Sequence, residues 1–273
     1  MAISMKSHEP KPPTMRHVGM PPALEKTLSR DVVRAMESGQ IEVRFQPQFS
    51  SATGQMIAAE ALARWQHPVL GEIGAAELFG MAERWGLVAQ LSRHIVRKAI
   101  AEAAHWPSEL ALSVNITPDE LADPAFASDL TLMLVENGFA PNRLTLEITE
   151  QTLLGNLNAS ARALTAVCAA GVRIALDDFG AGFCNFQYLK RLPVHAIKLD
   201  RSMVQGITRS QRDLEVLRAI LRLAEALELK TVAEGIETEG QRQTVIAEGC
   251  DAWQGYLWAE PLGARQMRTL ANV

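Results

Sequence analysis

The chain has 273 residues, 48% of them apolar, so it can bury the core of one large domain. Its formal charge of −4, from 27 basic and 31 acidic residues, excludes a general electrostatic attraction to nucleic acid polymers or anionic lipid. Its 3 cysteines have no paired spacing, which excludes a disulfide framework and favours a reducing, cytoplasmic location.

Residues 1–22 combine charges with several prolines and contain no apolar stretch long enough for a signal peptide or a membrane span. We therefore predict a disordered tail, or a linker from a longer protein, over residues 1–22. The folded domain is expected to occupy residues 23–273.

Short runs of strand-forming residues alternate with amphipathic stretches, as in β–α units around a parallel sheet. The eight predicted strands are Val43 to Phe49, Met56 to Trp65, Leu110 to Ile116, Arg143 to Ile148, Val172 to Asp178, Ala196 to Asp200, Lys230 to Glu234 and Ala252 to Trp258. Between them, the stretch from Asp213 to Leu229 has leucines at helical spacing and predicts a helix on the outer surface. Eight strands predict an α/β fold, a TIM-like (β/α)8 barrel.

The first two strands depart from the parallel pattern. Only a few residues, around Ser51 to Gly54, separate them, which is too short for a crossover helix. We therefore predict an antiparallel hairpin and a barrel whose first strand is antiparallel.

From the second strand onward, every predicted strand carries polar side chains, most of them at its C-terminal end, where the loops of a (β/α)8 barrel form the catalytic site. In chain order these residues are Glu60, Asn115, Glu147, Asp177, Asp178, Lys198, Asp200, Glu234 and Gln254. Carboxylates at one barrel mouth repel each other, so a cation is expected among them. Oxygen ligands suit Mg²⁺ or Mn²⁺. Two such ions favour in-line hydrolysis of a phosphodiester.

Simpler interpretations exist for single residues. A lone Asp before a helix is usually an N-cap, and an interior lysine such as Lys198 usually pairs with a carboxylate. The N-cap interpretation does not explain five converging carboxylates. As a fixed positive charge among acids, Lys198 is expected to orient the attacking water or to stabilise charge on the phosphoryl oxygens.

Glu60, Ala61 and Leu62 form a Glu-Ala-Leu tripeptide within AEALARW, followed by QHPVLGEI, LSVNIT, LTLEITE, IALDDFGAGF, YLKRLPVHAIKLDRSMV, TVAEGIETEGQ and GCDAWQGYLWAEPL. With these motifs, the sequence from about Val43 to Leu262 resembles the EAL-domain cyclic di-GMP phosphodiesterases. A second copy, Glu225 to Leu227, lies in the predicted outer helix and is expected to be chemically idle. The resemblance implies hydrolysis of cyclic di-GMP to linear pGpG by a homodimer, with two Mg²⁺ or Mn²⁺ ions per site.

The resemblance also implies roles for individual residues. One ion is held by Glu60, Asn115, Glu147 and Asp177, and a second by Asp177, Asp178 and Glu234. Lys198 and Glu234 act at the catalytic water, and Glu150 steadies the loop from Asp178 to Asn185. Substrate contacts are implied for a glutamine adjoining Pro47 and for Leu62, Arg64, Asp200, Glu237 and Gln254.

The loop after the fifth strand departs from the family. The family usually has DDFGTGYSS, whereas this chain has DDFGAGFCN, with Ala181, Phe183, Cys184 and Asn185 in place of the usual residues. These changes affect how the loop holds the second ion or responds to a dimer. His195, which replaces a common Asp, precedes its strand and is interpreted as structural.

Two alternative functions are consistent with a barrel of this type. Relatives that lose metal ligands act as cyclic di-GMP receptors, but this chain keeps its acidic ligands and Lys198. An aldolase would use Lys198 to form a Schiff base. Its carboxylate neighbours count against that chemistry, because they keep the lysine protonated.

Overall fold

The structure, a computed structural model, describes residues 31–149, 152, 157–181 and 186–271. The predicted N-terminal tail, Glu150 and the end of the loop, residues 182–185, lie outside the described residues. Residues 31–37 form the first described helical segment.

In the part of the chain that the structure describes, ten strands form one sheet. They are β1 (Ile41–Ser50), β2 (Met56–His67), β3 (Gly71–Gly74), β4 (Ala111–Asn115), β5 (Leu144–Thr149), β6 (Arg173–Phe179), β7 (Ala196–Leu199), β8 (Lys230–Ala233), β9 (Ala252–Trp253) and β10 (Leu262–Gly263). The barrel closes in the order β1-β2-β4-β5-β6-β7-β8-β9, because β1 pairs with both β2 and β9. Both of those pairings are antiparallel, whereas β2 and β4 to β9 are mutually parallel. The predicted TIM-like barrel with an antiparallel first strand is confirmed.

The labelled helices lie in the connections between strands, except the last, which follows β10. They are α1 (Ala75–Arg84), α2 (Val88–Ala103), α3 (Pro118–Ala122), α4 (Phe126–Glu136), α5 (Leu157–Ala169), α6 (Phe186–Arg191), α7 (Arg201–Val204), α8 (Gln211–Ala226), α9 (Glu239–Ala247) and α10 (Ala264–Ala271). Helix α8 corresponds to the predicted outer helix. It buries Leu217, Leu221 and Ala224 at helical spacing, and the Ser210 side chain caps its first turn by accepting from the amide of Asp213.

The apolar core lies mainly between the outer face of the strands and the surrounding helices. Leu144, Leu146 and Ile148 of β5 are fully buried there, on the face opposite the inward-pointing Glu147. Each fully buried side chain of this size contributes roughly 1.5–3 kcal/mol relative to an exposed one. The barrel interior is therefore left free to carry polar groups.

Two parts of the sheet differ from the prediction. The last barrel strand contains only Ala252 and Trp253, because the chain then turns to bond with Ile236, where the amide of Leu257 donates to the Ile236 carbonyl. A Cβ at Gly255 would lie only 2.1 Å from that carbonyl oxygen, so the approach requires glycine. Strands β3 and β10 were not predicted, since four- and two-residue strands lack a sequence pattern of their own.

Candidate active site

The strand-end polar residues meet at the C-terminal mouth of the barrel. Glu60 lies on β2, Glu147 on β5 and Lys198 on β7, and all three point into the barrel. Inward-facing residues recur at every second position, and the tilt of the strands brings residues of different strands to one level. The sequence prediction that these side chains come together is therefore matched by their positions.

Lys198 lies at the centre of this group. Its ammonium Nζ is 2.8 Å from Oε2 of Glu147 and Oε1 of Glu234, and 3.1 Å from Oε2 of Glu60 and Oδ1 of Asp177. The side chain is only 1% exposed. A buried ammonium ion needs such partners, because an unpaired buried charge is very costly.

Neutral amides connect the carboxylates. Asn115 Nδ2 donates to Oε1 of Glu60 at 3.0 Å, and Gln254 Nε2 donates to Oε2 of Glu60 at 2.8 Å. The same Gln254 nitrogen donates to Oε1 of Glu234 at 2.9 Å. Gln254 thus fixes the orientation of two carboxylates of the acid group.

Asp177 and Asp178 are adjacent, and side chains of adjacent residues in a regular strand point to opposite faces. The pairing of β6 with β7 is irregular between Leu176 and Phe179, and Asp178 has φ 55°, in the left-handed region. Only a few per cent of residues other than glycine adopt this conformation. The irregularity allows both carboxylates to approach Glu234.

Burial and the close approach of like charges shift the pKa values of these groups. Burial raises the pKa of Glu147 well above its ordinary value, and repulsion from Glu60 adds to the effect. Burial also raises the pKa of Glu234 to about 8. For Lys198, burial lowers the pKa, but its carboxylate neighbours more than compensate and raise it well above the ordinary value. Lys198 is therefore protonated, which argues against the aldolase alternative.

Glu60 and Asp178 shift in opposite directions. Burial favours a higher pKa for Glu60, but the charge of Lys198 and the donated hydrogen bonds keep it below its ordinary value. Burial and the neighbouring Asp177 raise the pKa of Asp178. Unequal protonation of this kind is expected where carboxylates outnumber cations.

The donor set fits divalent cations. Oxygens of Glu60, Glu147 and Asp177 lie within 4.8 Å of one another, and so do oxygens of Asp177, Asp178 and Glu234. Oε1 of Glu147 is buried, and no described residue donates a hydrogen bond to it. An unpartnered buried carboxylate oxygen within an all-oxygen group is the arrangement that a hard cation satisfies.

The predicted substrate contacts are distributed around the mouth. Gln46, the glutamine before Pro47, lies opposite Glu60 and donates to the carbonyl of Ala259 at 2.8 Å. Leu62 and Arg64 follow Glu60 on the same strand face, further toward the mouth.

Two further predicted residues have local partners. Asp200 caps α7 by accepting from the amide of Ser202 at 2.9 Å, the N-cap role considered for a lone Asp. Glu237 is exposed and pairs with Arg201 at 2.9 Å, outside both acid groups.

Sequence reasoning missed two charged residues next to Arg64. Glu72 of β3 lies 3.7 Å from Nε of Arg64, pairs with Arg44 and accepts from Gln66 at 2.9 Å. Arg44 could have been found, because it alternates with Gln46 on the inner face of β1. Glu72 carried no signal, since β3 itself was not predicted.

Two residues for which no catalytic role was predicted lie away from the mouth. Glu225 is exposed near the end of α8, beside Lys230, which begins β8 at the opposite end of the barrel. His195 precedes β7, and its Nδ1 accepts from the amide of Ile174 at 3.1 Å. Both residues therefore lie outside the acid group at the mouth.

The fold and the site define a (β/α)8 barrel with an antiparallel first strand and an acidic, lysine-centred site at its C-terminal mouth. A model of the EAL domain matches residues 29–261, and the chain belongs to that family. The resemblance seen in the motifs is confirmed.

Two relatives whose names state an activity are proteins of Pseudomonas aeruginosa. The bifunctional diguanylate cyclase/cyclic di-GMP phosphodiesterase MucR is 34% identical over 250 residues, covering 90% of this chain and 36% of MucR. The cyclic di-GMP phosphodiesterase NbdA is 35% identical over 244 residues, covering 87% of this chain and 31% of NbdA. The chain thus spans about a third of these relatives.

Among solved structures, the PaMucR phosphodiesterase in a c-di-GMP complex superimposes with a TM-score of 0.83 and 33% identity. The superposition covers 88% of this chain and 99% of that one. Within the described residues, no helix combines the length and apolar character needed to cross a membrane.

Proposed function

We propose that this chain hydrolyses cyclic di-GMP to linear pGpG, using two divalent cations, Mg²⁺ or Mn²⁺, in each site. The observation that carries the proposal is the convergence of five carboxylates around Lys198 at the mouth of an EAL-domain barrel. The names of MucR and NbdA, both phosphodiesterases of this nucleotide, support the choice of substrate.

In this proposal two sets of ligands share one residue. Glu60, Asn115, Glu147 and Asp177 would hold the first cation, and Asp177, Asp178 and Glu234 the second. The two groups of mutually close oxygens, which meet at Asp177, support this division. Bound cations supply Lewis acidity, which polarises the phosphate and lowers the pKa of the attacking water.

The reaction breaks one phosphorus–O3′ bond. The water oxygen bonds to phosphorus, and a proton ends on the released 3′ hydroxyl, so that the product carries a 5′ phosphate. Lys198, kept protonated by its carboxylate neighbours, would stabilise the negative charge that develops on the phosphoryl oxygens. Gln254 keeps Glu60 and Glu234 in the orientation that the cations require.

Substrate binding is proposed for the residues around this centre. Arg64 would contact a phosphate, and Gln46, Leu62, Asp200 and Glu237 would line the bound nucleotide. Glu150 is proposed to steady the loop that begins at Asp178. These roles rest on the family resemblance.

The test is to incubate the purified chain with cyclic di-GMP and Mg²⁺ or Mn²⁺ and to resolve the products by chromatography. Formation of pGpG that stops on addition of a chelator supports the proposal. Tight binding of cyclic di-GMP without turnover would instead make the chain a receptor for this nucleotide. The full set of acidic residues favours the enzyme.

A homodimer and a cytoplasmic location remain predictions from the resemblance and the composition. Sedimentation equilibrium of the purified chain measures the first. Fractionation of cells that express the full-length protein measures the second.

A further inference from the structure

The lower half of the barrel interior is lined by small side chains. The inward-facing positions below the acid group include Ala58, Ser113, Thr145, Ala175, Ala196 and Ala252. In most (β/α)8 barrels, layers of bulky branched residues fill this space. Here the small residues leave a cavity of about 840 Å³.

This cavity is reached from the N-terminal end of the barrel. Its inner end is formed by Glu147 and Lys198, which are buried, while Thr145 and Ala196, one inward position below them, are partly exposed. Arg64, the predicted phosphate contact, does not line it. The cavity and the proposed substrate site therefore lie on opposite sides of the acid group.

Three buried side-chain atoms of cavity-lining residues are without hydrogen-bond partners among the residues described. They are the side-chain nitrogen of Gln48, a residue only 5% exposed, the hydroxyl of Ser51 and, at the inner end, Oε1 of Glu147. Burying the Gln48 donor without a partner is unfavourable, so an acceptor atom of a bound molecule is favoured beside this wall.

The mouth of the cavity has an excess of basic residues. Arg143, Arg173 and Lys230 line it, against the acidic Glu109 and Asp251. Asp251 forms an ion pair with Lys230, with Oδ1 2.7 Å from Nζ. Arg173 forms no ion pair with any residue that the structure describes. This end of the barrel therefore favours an anion, in contrast to the acidic end.

We infer that this cavity is a second ligand site and that it binds a small organic carboxylate with a compact apolar body. The alanine methyl groups of the wall would pack against the apolar body. Arg173 would bind the carboxylate. The volume lies in the range of small-molecule pockets, and an inorganic anion would leave the methyl-lined wall uncovered.

Three probes of one size test the charge preference: benzoate, neutral benzamide and cationic benzylamine. Saturation-transfer NMR on the full chain, with Mg²⁺ and again with a chelator, measures their binding. We expect benzoate to bind under both conditions and more tightly than the other two. Absence of benzoate binding, stronger binding of benzylamine, or binding that requires Mg²⁺ would overturn the inference, the last because it would locate benzoate at the acid group.

Variants then locate the bound probe. Arg173→Ala, which alters an exposed side chain, is expected to weaken benzoate binding by about tenfold, as for the loss of one charge-assisted hydrogen bond. Ala196→Leu fills the cavity and is expected to abolish binding. Arg212→Ala, which removes an exposed arginine of α8, is the matched control and should bind as the unaltered chain does.

Equal benzoate affinity in Arg173→Ala and in the control would contradict the assignment of benzoate to this cavity. This test holds even if Ala196→Leu fails to fold. None of these measurements depends on turnover of cyclic di-GMP. The inference and the proposed function can therefore fail separately.

Discussion

Four carboxylates contact the single ammonium group of Lys198, so the acids at the barrel mouth outnumber the cation that holds them together. The raised pKa values of Glu147 and Glu234 are the consequence, because burial and mutual repulsion favour their neutral forms. Divalent cations would remove this repulsion and leave Lys198 free to act on the substrate. At the scale of single residues, the site is therefore explained best as a metal site.

Glu60→Ala is expected to lower the rate of cyclic di-GMP hydrolysis by about three orders of magnitude, because it removes a proposed ligand worth several kcal/mol. Glu225→Ala, in the second copy of the tripeptide, is the matched control and should leave the rate unchanged. Product formation measured by chromatography gives the hydrolysis rate of each variant. Equal losses in both variants would contradict the assignment.

Lys198→Ala is expected to slow turnover about 10²- to 10³-fold, the usual effect of losing one electrostatic stabiliser of a transition state. The KM for cyclic di-GMP should change much less than kcat, because the lysine is buried beneath the carboxylates. Steady-state kinetics with saturating Mg²⁺ measures both. A near-normal kcat would remove Lys198 from the mechanism.

At the scale of elements, β6 contributes two carboxylates to the acid group because it is irregular. In a regular strand, Asp178 would point away from Asp177, toward the helices. The left-handed conformation of Asp178 and the shifted pairing with β7 bring both carboxylates to Glu234. Backbone strain at this position is thus part of the construction of the site.

Substitutions at Asp178 can separate the carboxylate from the backbone conformation. Both Asp178→Gly and Asp178→Ala should lose activity, since each removes the carboxylate. Alanine at φ 55° should in addition make the protein less stable than the glycine variant by about 1 kcal/mol. Urea unfolding measures this difference, and an alanine variant at least as stable as the glycine variant would show that the strain is absent.

At the scale of the whole molecule, the acid group makes stability depend on pH and on cations. Without a cation, Glu234 has a pKa of about 8 in the folded chain, against an ordinary value of 4.5. Between these values the folded state keeps a proton that the unfolded state has released. Stability from this group is therefore present at low pH and is lost as pH rises toward 8. Glu147, whose pKa is also raised, acts in the same direction, while Glu60, with a lowered pKa, acts only below this window.

The chelator-treated chain is expected to lose thermal stability from about pH 5 to about pH 8, by a few kcal/mol in free energy of unfolding. Added Mg²⁺ should raise Tm more at the upper end of this range, where the carboxylates bind it without releasing protons. Glu234→Gln should flatten the pH dependence. Differential scanning fluorimetry measures all three, and a Tm that rises with pH in the chelated chain would contradict the expectation.

The sequence by itself determined the class of fold and most of the acid group. Eight strands, a hairpin too short for a crossover and polar residues at strand ends such as Glu60, Glu147 and Lys198 are local patterns, read from two-residue alternation and from motif order. The C-terminal ends of the strands of a barrel meet at one mouth, so the proximity of these residues could be predicted from the sequence without their distances.

Only the tertiary structure decided features that depend on contacts between distant segments. The bulge that turns Asp178 inward depends on pairing with β7, and Glu72 reaches Arg64 through a strand that forms only by pairing with β2. The cavity beneath Lys198 exists because small residues from many strands meet on one inner face. Each of these residues is ordinary in its own segment, and only the closure of the barrel gives it its partners.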